Sequence, residues 1–235
     1  MYTLRMIVAL AATLMVAALA ILSAFVRPFH RNNMADACGL LTAVQKRVWN
    51  VRFEYENQAA LNPDSPCVFI ANHQDTHDLF FAPSIVRKGT VALGKWELVY
   101  VPFIGQAFYF LGNILVKRHQ KDKAAEALHD AALKIQNENK SVLIFPEGTR
   151  NWGKPLPFKL GAFKLAIEAQ VPIVPVCFAL RPQSMTLNKW FGGVVKVKVL
   201  LPIDTQGMTQ EDAIALAVHC RKLVEAEVVK LTDVN

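Results

Sequence analysis

The segment Asn72-His73-Gln74-Asp75-Thr76-His77-Asp78 gathers two imidazoles and two carboxylates within seven residues. It follows CVFIA (67–71), a short unbroken apolar run of the kind that forms a strand buried on both faces. Ionisable side chains at the C-terminal end of a buried parallel strand stand where α/β sheets place their sites. His73 suits a general base near neutral pH, provided a carboxylate holds its other ring nitrogen. On a regular helix, residues five apart differ by about 140° in azimuth, so His73 and Asp78 could not meet there. Their contact requires His73 in a turn and Asp78 in the first helical turn. Asp75 is the competing partner, and spacing alone does not choose between them. His73 and His77 also stand at i, i+4, a metal-binding spacing. Gln74 occupies the place of a zincin glutamate and no third ligand is evident, so no metal is expected.

A second group lies in SVLIFPEGTRNWGKPLPFKLGAF (141–163). A buried strand ends before Pro146, and Glu147-Gly148-Thr149-Arg150 must turn. Gly148 permits unusual dihedrals and close backbone approach, while Arg150 offers a planar fork for phosphate. Lys154, Lys159 and Lys164 add positive charge. The third group, 94–118, is apolar and aromatic, with only Lys95, Glu97, Lys117 and Arg118 charged. Such a surface suits an acyl chain or a membrane interface, and an ordinary core explains it equally well. No GxSxG elbow, cysteine–histidine pairing, Walker loop or dinucleotide glycine loop appears, which argues against a covalent acyl-enzyme and against nucleotide chemistry.

These groups need a scaffold. VRFEYEN (51–57) alternates strictly and reads as a half-buried strand. Further strands are expected at 67–71, from Thr90, at 141–145, through VPIVPVCFAL (171–180) and through VVKVKVLL (194–201). Helices are expected at 76–87, 121–139, 161–169 and 209–231, the last capped by Thr209. Strands alternating with helices predict an α/β domain with a mixed, largely parallel sheet flanked by helices.

Ahead of this domain, Met6 to Val26 carries no charge. As a helix it would be about 31 Å long, enough to cross a bilayer core. Arg27, Arg31, Lys46, Arg47 and Arg52 follow it, against Arg5 before it, so the bulk of the chain is expected on the cytoplasmic side. A cleaved signal peptide is the rival reading; the long apolar run and the lack of a disulfide framework favour an anchor. Hydropathy does not distinguish a span from a helix dipping into one leaflet. Residues 34–50 are amphipathic and suit either the interface or a core. The expected division is therefore 1–50, membrane-associated helices, and 51–235, the catalytic domain.

The 235 residues carry a net charge of +7 and a mean hydropathy of +0.24. Residues 87–164 hold thirteen basic and six acidic side chains, so the cationic excess is central. Anionic lipid head groups, phosphorylated substrates and nucleic acid would each match it, but no nucleic-acid-binding signature accompanies it. Cys38, Cys67, Cys177 and Cys220 are widely spaced and read as buried, reduced thiols.

In this order the blocks resemble the bacterial 1-acylglycerol-3-phosphate acyltransferases. Asn72, His73 and Asp78 match the family's NHxxxxD block, and Gly112 to Arg118 matches GxxxxxR, with Leu115 where an aromatic is common. Phe145 to Arg150 matches FPEGTR letter for letter, and VPIVPV (171–176) matches fully. The resemblance implies a glycerolipid acyltransferase domain behind a membrane helix. It implies transfer of an acyl group from acyl-CoA or acyl carrier protein to lysophosphatidic acid, giving phosphatidic acid at the inner membrane without a cofactor. His73 would be the base and Asp78 its orienter. Arg118, Glu147, Gly148 and Arg150 would bind the glycerol phosphate, and Lys95 would assist the phosphate or the oxyanion. A different lyso-acceptor is the alternative, followed by a metal-dependent hydrolase or a non-catalytic lipid binder.

Overall fold

The computed structural model describes residues 1–117, 120–181 and 185–233. Strands β1 (Val51–Glu56), β2 (Val68–Ala71), β3 (Thr90–Lys95), β4 (Ile114–Val116), β5 (Ser141–Ile144), β6 (Ile173–Phe178) and β7 (Gly193–Val199) form one sheet, ordered β1-β7-β6-β2-β5-β3-β4. Neighbours are parallel except β6 and β7, so β1 and β7 run against the other five. Side chains of a strand alternate between faces. Val68 and Ile70 therefore enter a core with α5 (Lys121–Glu138), α6 (Gly161–Ala169) and α7 (Ala213–Asp233). Phe69 and Ala71 enter the opposite core with Trp49, Phe80 and Phe81.

The helix expected at 76–87 is much shorter. α3 spans only Asp78–Phe81 and passes into a 3₁₀ turn at Ala82–Ile85. Pro83 explains the break, because it lacks an N–H and its ring would crowd the carbonyl one turn earlier. At the other end of the chain, Thr209 and Asp212 form a reciprocal capping box before α7.

α1 (Tyr2–Val26) and α2 (Asn33–Trp49) pack against each other and are built differently. α2 is a core helix: Cys38, Leu41, Gln45 and Trp49 are buried, and it touches α1, α3, β1 and β3. α1 is inverted. Its buried side is small (Ala9, Ala12, Thr13, Val16, Ala17, Ala20, Ala24), whereas Leu4, Ile7, Leu14, Leu19, Leu22 and Phe25 face outward. Small residues allow close approach, and Gln45 Nε2 donates to Ala9 O at 2.9 Å and Thr13 Oγ1 at 3.1 Å. α1 is long and apolar enough to cross a membrane. Yet both of its ends touch the domain. Arg5 donates to the carbonyls of Lys189 and Trp190 at 2.7 and 2.6 Å, and Phe25 lies 6.0 Å from Phe110 of α4 (Ile104–Phe110).

Candidate active site

The C-terminal ends of β2, β3, β5 and β6 converge, and hydrogen bonds between their loops fix the backbone. Asn72 binds Phe178 reciprocally, donating to its carbonyl at 3.0 Å and accepting its N–H at 2.8 Å. Asn151 N–H donates to His73 O and Trp152 N–H to Gln74 O, both at 2.8 Å. The segment after β2 is thereby a supported turn, and α3 starts at Asp78. This local geometry lets residues 73 and 78 meet.

They do meet. His73 Nδ1 lies 2.5 Å from Asp78 Oδ2, which also accepts the Gln74 N–H at 2.7 Å. Asp78 is buried, while His73 is half-buried with its ring 4.6 Å from that of Phe145. With Nδ1 committed to a carboxylate, Nε2 is the nitrogen left for a substrate proton. Asp75 takes different partners. Its Oδ1 lies 2.9 Å from His77 Nδ1, and its carboxylate faces the Arg181 guanidinium at 2.9 and 3.2 Å. Burial alone would raise the Asp75 carboxyl, but the His77 hydrogen bonds and Arg181 outweigh it and hold the group below the usual carboxylate range. On the outer side, Tyr2 Oη of α1 sits 3.0 Å from His77 Nε2.

Glu147 lies behind His73. Its Oε1 accepts the His73 N–H at 2.8 Å and Asn151 Nδ2 at 3.1 Å, while Oε2 is buried with no hydrogen-bond partner among the described residues. Burial raises its carboxyl above the ordinary range despite those two donors. In this placement Glu147 supports the His73 backbone. Gly148 adopts φ +71°, and the end of the Lys159 side chain lies 2.9 Å from where a Cβ would be. Any side chain here meets both a strained backbone and Lys159.

The cleft in front of His73 has a volume of about 410 Å³. His73, Lys95, Gly148 and Arg150 line it together with Leu98 and Phe108. An apolar cavity of about 240 Å³ adjoins it, sharing Leu79, Phe108 and Phe145 and reaching Val16 and Ala20 of α1. Arg118 lies outside the described residues; its neighbour Lys117 places its ammonium 4.2 Å from the Trp96 ring. All four cysteines are free and buried, with thiols pushed up to about 12 by burial. Three positioning residues escape the motif reading. Gln74 and Asn151 carry no sequence signal beyond being polar in a turn. Arg181 does: it is a lone cation directly after the apolar run 171–180.

The chain that carries this His–Asp pair is similar to known proteins. Residues 52–179 match the acyltransferase family model. The chain is 39% identical over 165 residues to the 1-acyl-sn-glycerol-3-phosphate acyltransferase of Escherichia coli, covering 70% of this chain and 67% of that protein. It belongs to the 1-acyl-sn-glycerol-3-phosphate acyltransferase family. The Haemophilus influenzae member is 38% identical over 170 residues (72% of this chain, 71% of that one). The human beta form is 36% identical over 180 residues (75% and 65%). The crystal structure of the acyltransferase from Thermotoga maritima superposes with a TM-score of 0.73 at 21% identity, covering 99% of this chain and 96% of that one, and so shares the fold.

Proposed function

We propose that this acyltransferase moves a fatty acyl group from the thioester of acyl-CoA or acyl carrier protein to the free sn-2 hydroxyl of 1-acyl-sn-glycerol-3-phosphate. The observation that carries this is the His73–Asp78 pair opening onto a cleft that is cationic at Lys95 and Arg150 and apolar at Leu98 and Phe108. His73 Nε2 takes the hydroxyl proton as that oxygen attacks the thioester carbon; the carbon–sulfur bond then breaks, and the proton passes to the thiolate. Asp78 keeps the Nδ1–H tautomer and stabilises the imidazolium. Lys95 faces the developing oxyanion or the phosphate, Arg150 grips the phosphate as a charged fork, and the turn at Gly148 lets the phosphate approach. The adjoining apolar cavity receives an acyl chain. By the GxxxxxR resemblance, Arg118 would bind the same phosphate.

The outward face of α1 seats the enzyme on the bilayer. Because both ends of α1 contact the domain, that helix lies along one leaflet, with the catalytic domain on the cytoplasmic face of the inner membrane and its product entering phospholipid synthesis. The test is purified protein offered lysophosphatidic acid, lysophosphatidylglycerol and a lyso-aminolipid, each with acyl-CoA and with acyl carrier protein. Phosphatidic acid as the dominant product supports the reading. Preference for another acceptor reassigns the head group, and hydrolysis without transfer overturns it.

A further inference from the structure

We infer that Arg181 is a positioning residue for the transfer step: its guanidinium bridges Asp75 and Asp78, so that Asp78 meets His73 already paired with a fixed positive charge. The inference rests on the reading of His73 as general base. The guanidinium is 5% exposed and uses two edges. Nη1 donates to Asp78 Oδ1 at 2.8 Å, opposite the oxygen that faces His73. Nε and Nη2 meet the Asp75 carboxylate at 3.2 and 2.9 Å. The backbone holds the arginine in place: Gln74 accepts the Arg181 N–H at 3.2 Å and donates to the carbonyls of Phe178 and Ala179 at the end of β6.

The charge balance gives the function. Buried Asp78 and half-buried Asp75 share one short turn and have one arginine between them. Without it, the titratable groups able to supply positive charge are His73 beside Asp78 and His77 beside Asp75, and a proton held on His73 would leave it unable to act as a base. The groups facing His73 are Asp78 on α3, Glu147 and Arg150 on the loop after β5 and Lys95 at the end of β3; Arg181, Asp75 and His77 stand behind Asp78. Among those behind, Arg181 is the one fixed cation. Lysine in its place would keep the charge but could not bridge both carboxylates, since the planar fork is lost.

The experiment is the pH profile of kcat/KM for Arg181→Met, Arg181→Lys and Asp75→Asn, with melting temperatures recorded in parallel. For Arg181→Met the acid limb should move up by about one unit or more, with kcat at neutral pH falling roughly tenfold and acceptor KM changing little. Arg181→Lys should return the limb close to wild type and restore part of kcat. Asp75→Asn removes an anion and should move the limb the opposite way. If Arg181→Met does not fold, the other two variants decide. An unmoved limb in Asp75→Asn, or equal losses of rate and melting temperature in Arg181→Met and Arg181→Lys with no limb movement, would reduce Arg181 to a structural ion pair. His73→Ala separates the two claims: if it keeps turnover, the base assignment fails first, whereas an inactive His73→Ala with unmoved limbs refutes only the role of Arg181.

Discussion

Asp78 Oδ2 accepts from both His73 Nδ1 and the Gln74 N–H, so one carboxylate oxygen fixes the imidazole and closes the turn that carries it. Asp75, three residues earlier, touches neither group and pairs with His77 and Arg181. Asp78→Asn should therefore lower kcat by a factor within the roughly 10²–10⁴ range of a general base. Asp75→Asn should cost only a few-fold at neutral pH. Steady-state kinetics of the two purified variants checks the order, and a reversed order would reassign the pair.

Arg150 and Gly148 line the cleft from the same turn. Arg150→Ala should raise the acceptor KM about ten- to a hundredfold, matching about 1.5–3 kcal/mol for a charge-assisted contact. Arg150→Lys should fall between the two, because it keeps charge without the fork. Donor KM should change less. Varying each substrate in turn is the check; an effect confined to the donor would move Arg150 to the thioester side.

Much of this site was legible because its parts are contiguous in sequence. The turn geometry that brings His73 to Asp78 followed from helical azimuth, and the strands at 67–71 and 141–145 from unbroken apolar runs. Three things were not legible. The choice between Asp75 and Asp78 depends on Arg181, a hundred residues away, which draws Asp75 to its other side. The burial of Glu147 depends on Asn151 and the His73 backbone, contacts that no spacing rule encodes. The docking of α1 depends on its alanine side, whereas hydropathy averages over both sides.

The exposed leucines of α1 define the membrane prediction. Each apolar side chain buried in lipid contributes about 1.5–3 kcal/mol, so Leu14→Gln with Leu22→Gln should weaken vesicle binding by at least about tenfold. Activity on detergent-dispersed substrate should persist, since neither leucine faces the domain. Co-sedimentation with anionic vesicles measures the first and a micellar assay the second. For sidedness, native Cys220 is buried and unsuited to labelling, so Asp64→Cys at the exposed turn is the reporter. It should react only after cells are permeabilised.

Glu147 carries a pH dependence of known sign. Its carboxyl is raised in the folded protein, first by burial, so the native state binds more protons than the unfolded chain between the ordinary carboxylate value and the raised one. Its contribution to stability is thus present at low pH and lost as pH rises through that window. Glu147→Gln keeps an acceptor for the His73 N–H and removes the titration. Relative to wild type, its melting temperature should be higher at pH 7 than at pH 4. Thermal melts at both values check this, and a gap that narrows with rising pH would contradict it.

The measurement closest to the central claim is the rate of phosphatidic acid formation by His73→Ala, with lysophosphatidic acid and an acyl thioester both saturating. Among the described residues, His73 offers the cleft its one uncommitted imidazole nitrogen, with Asp78 behind it. The variant should fold with an unchanged melting profile, bind vesicles as wild type does, and form product at least about a hundredfold more slowly. Product formation at a near-normal rate would contradict the account.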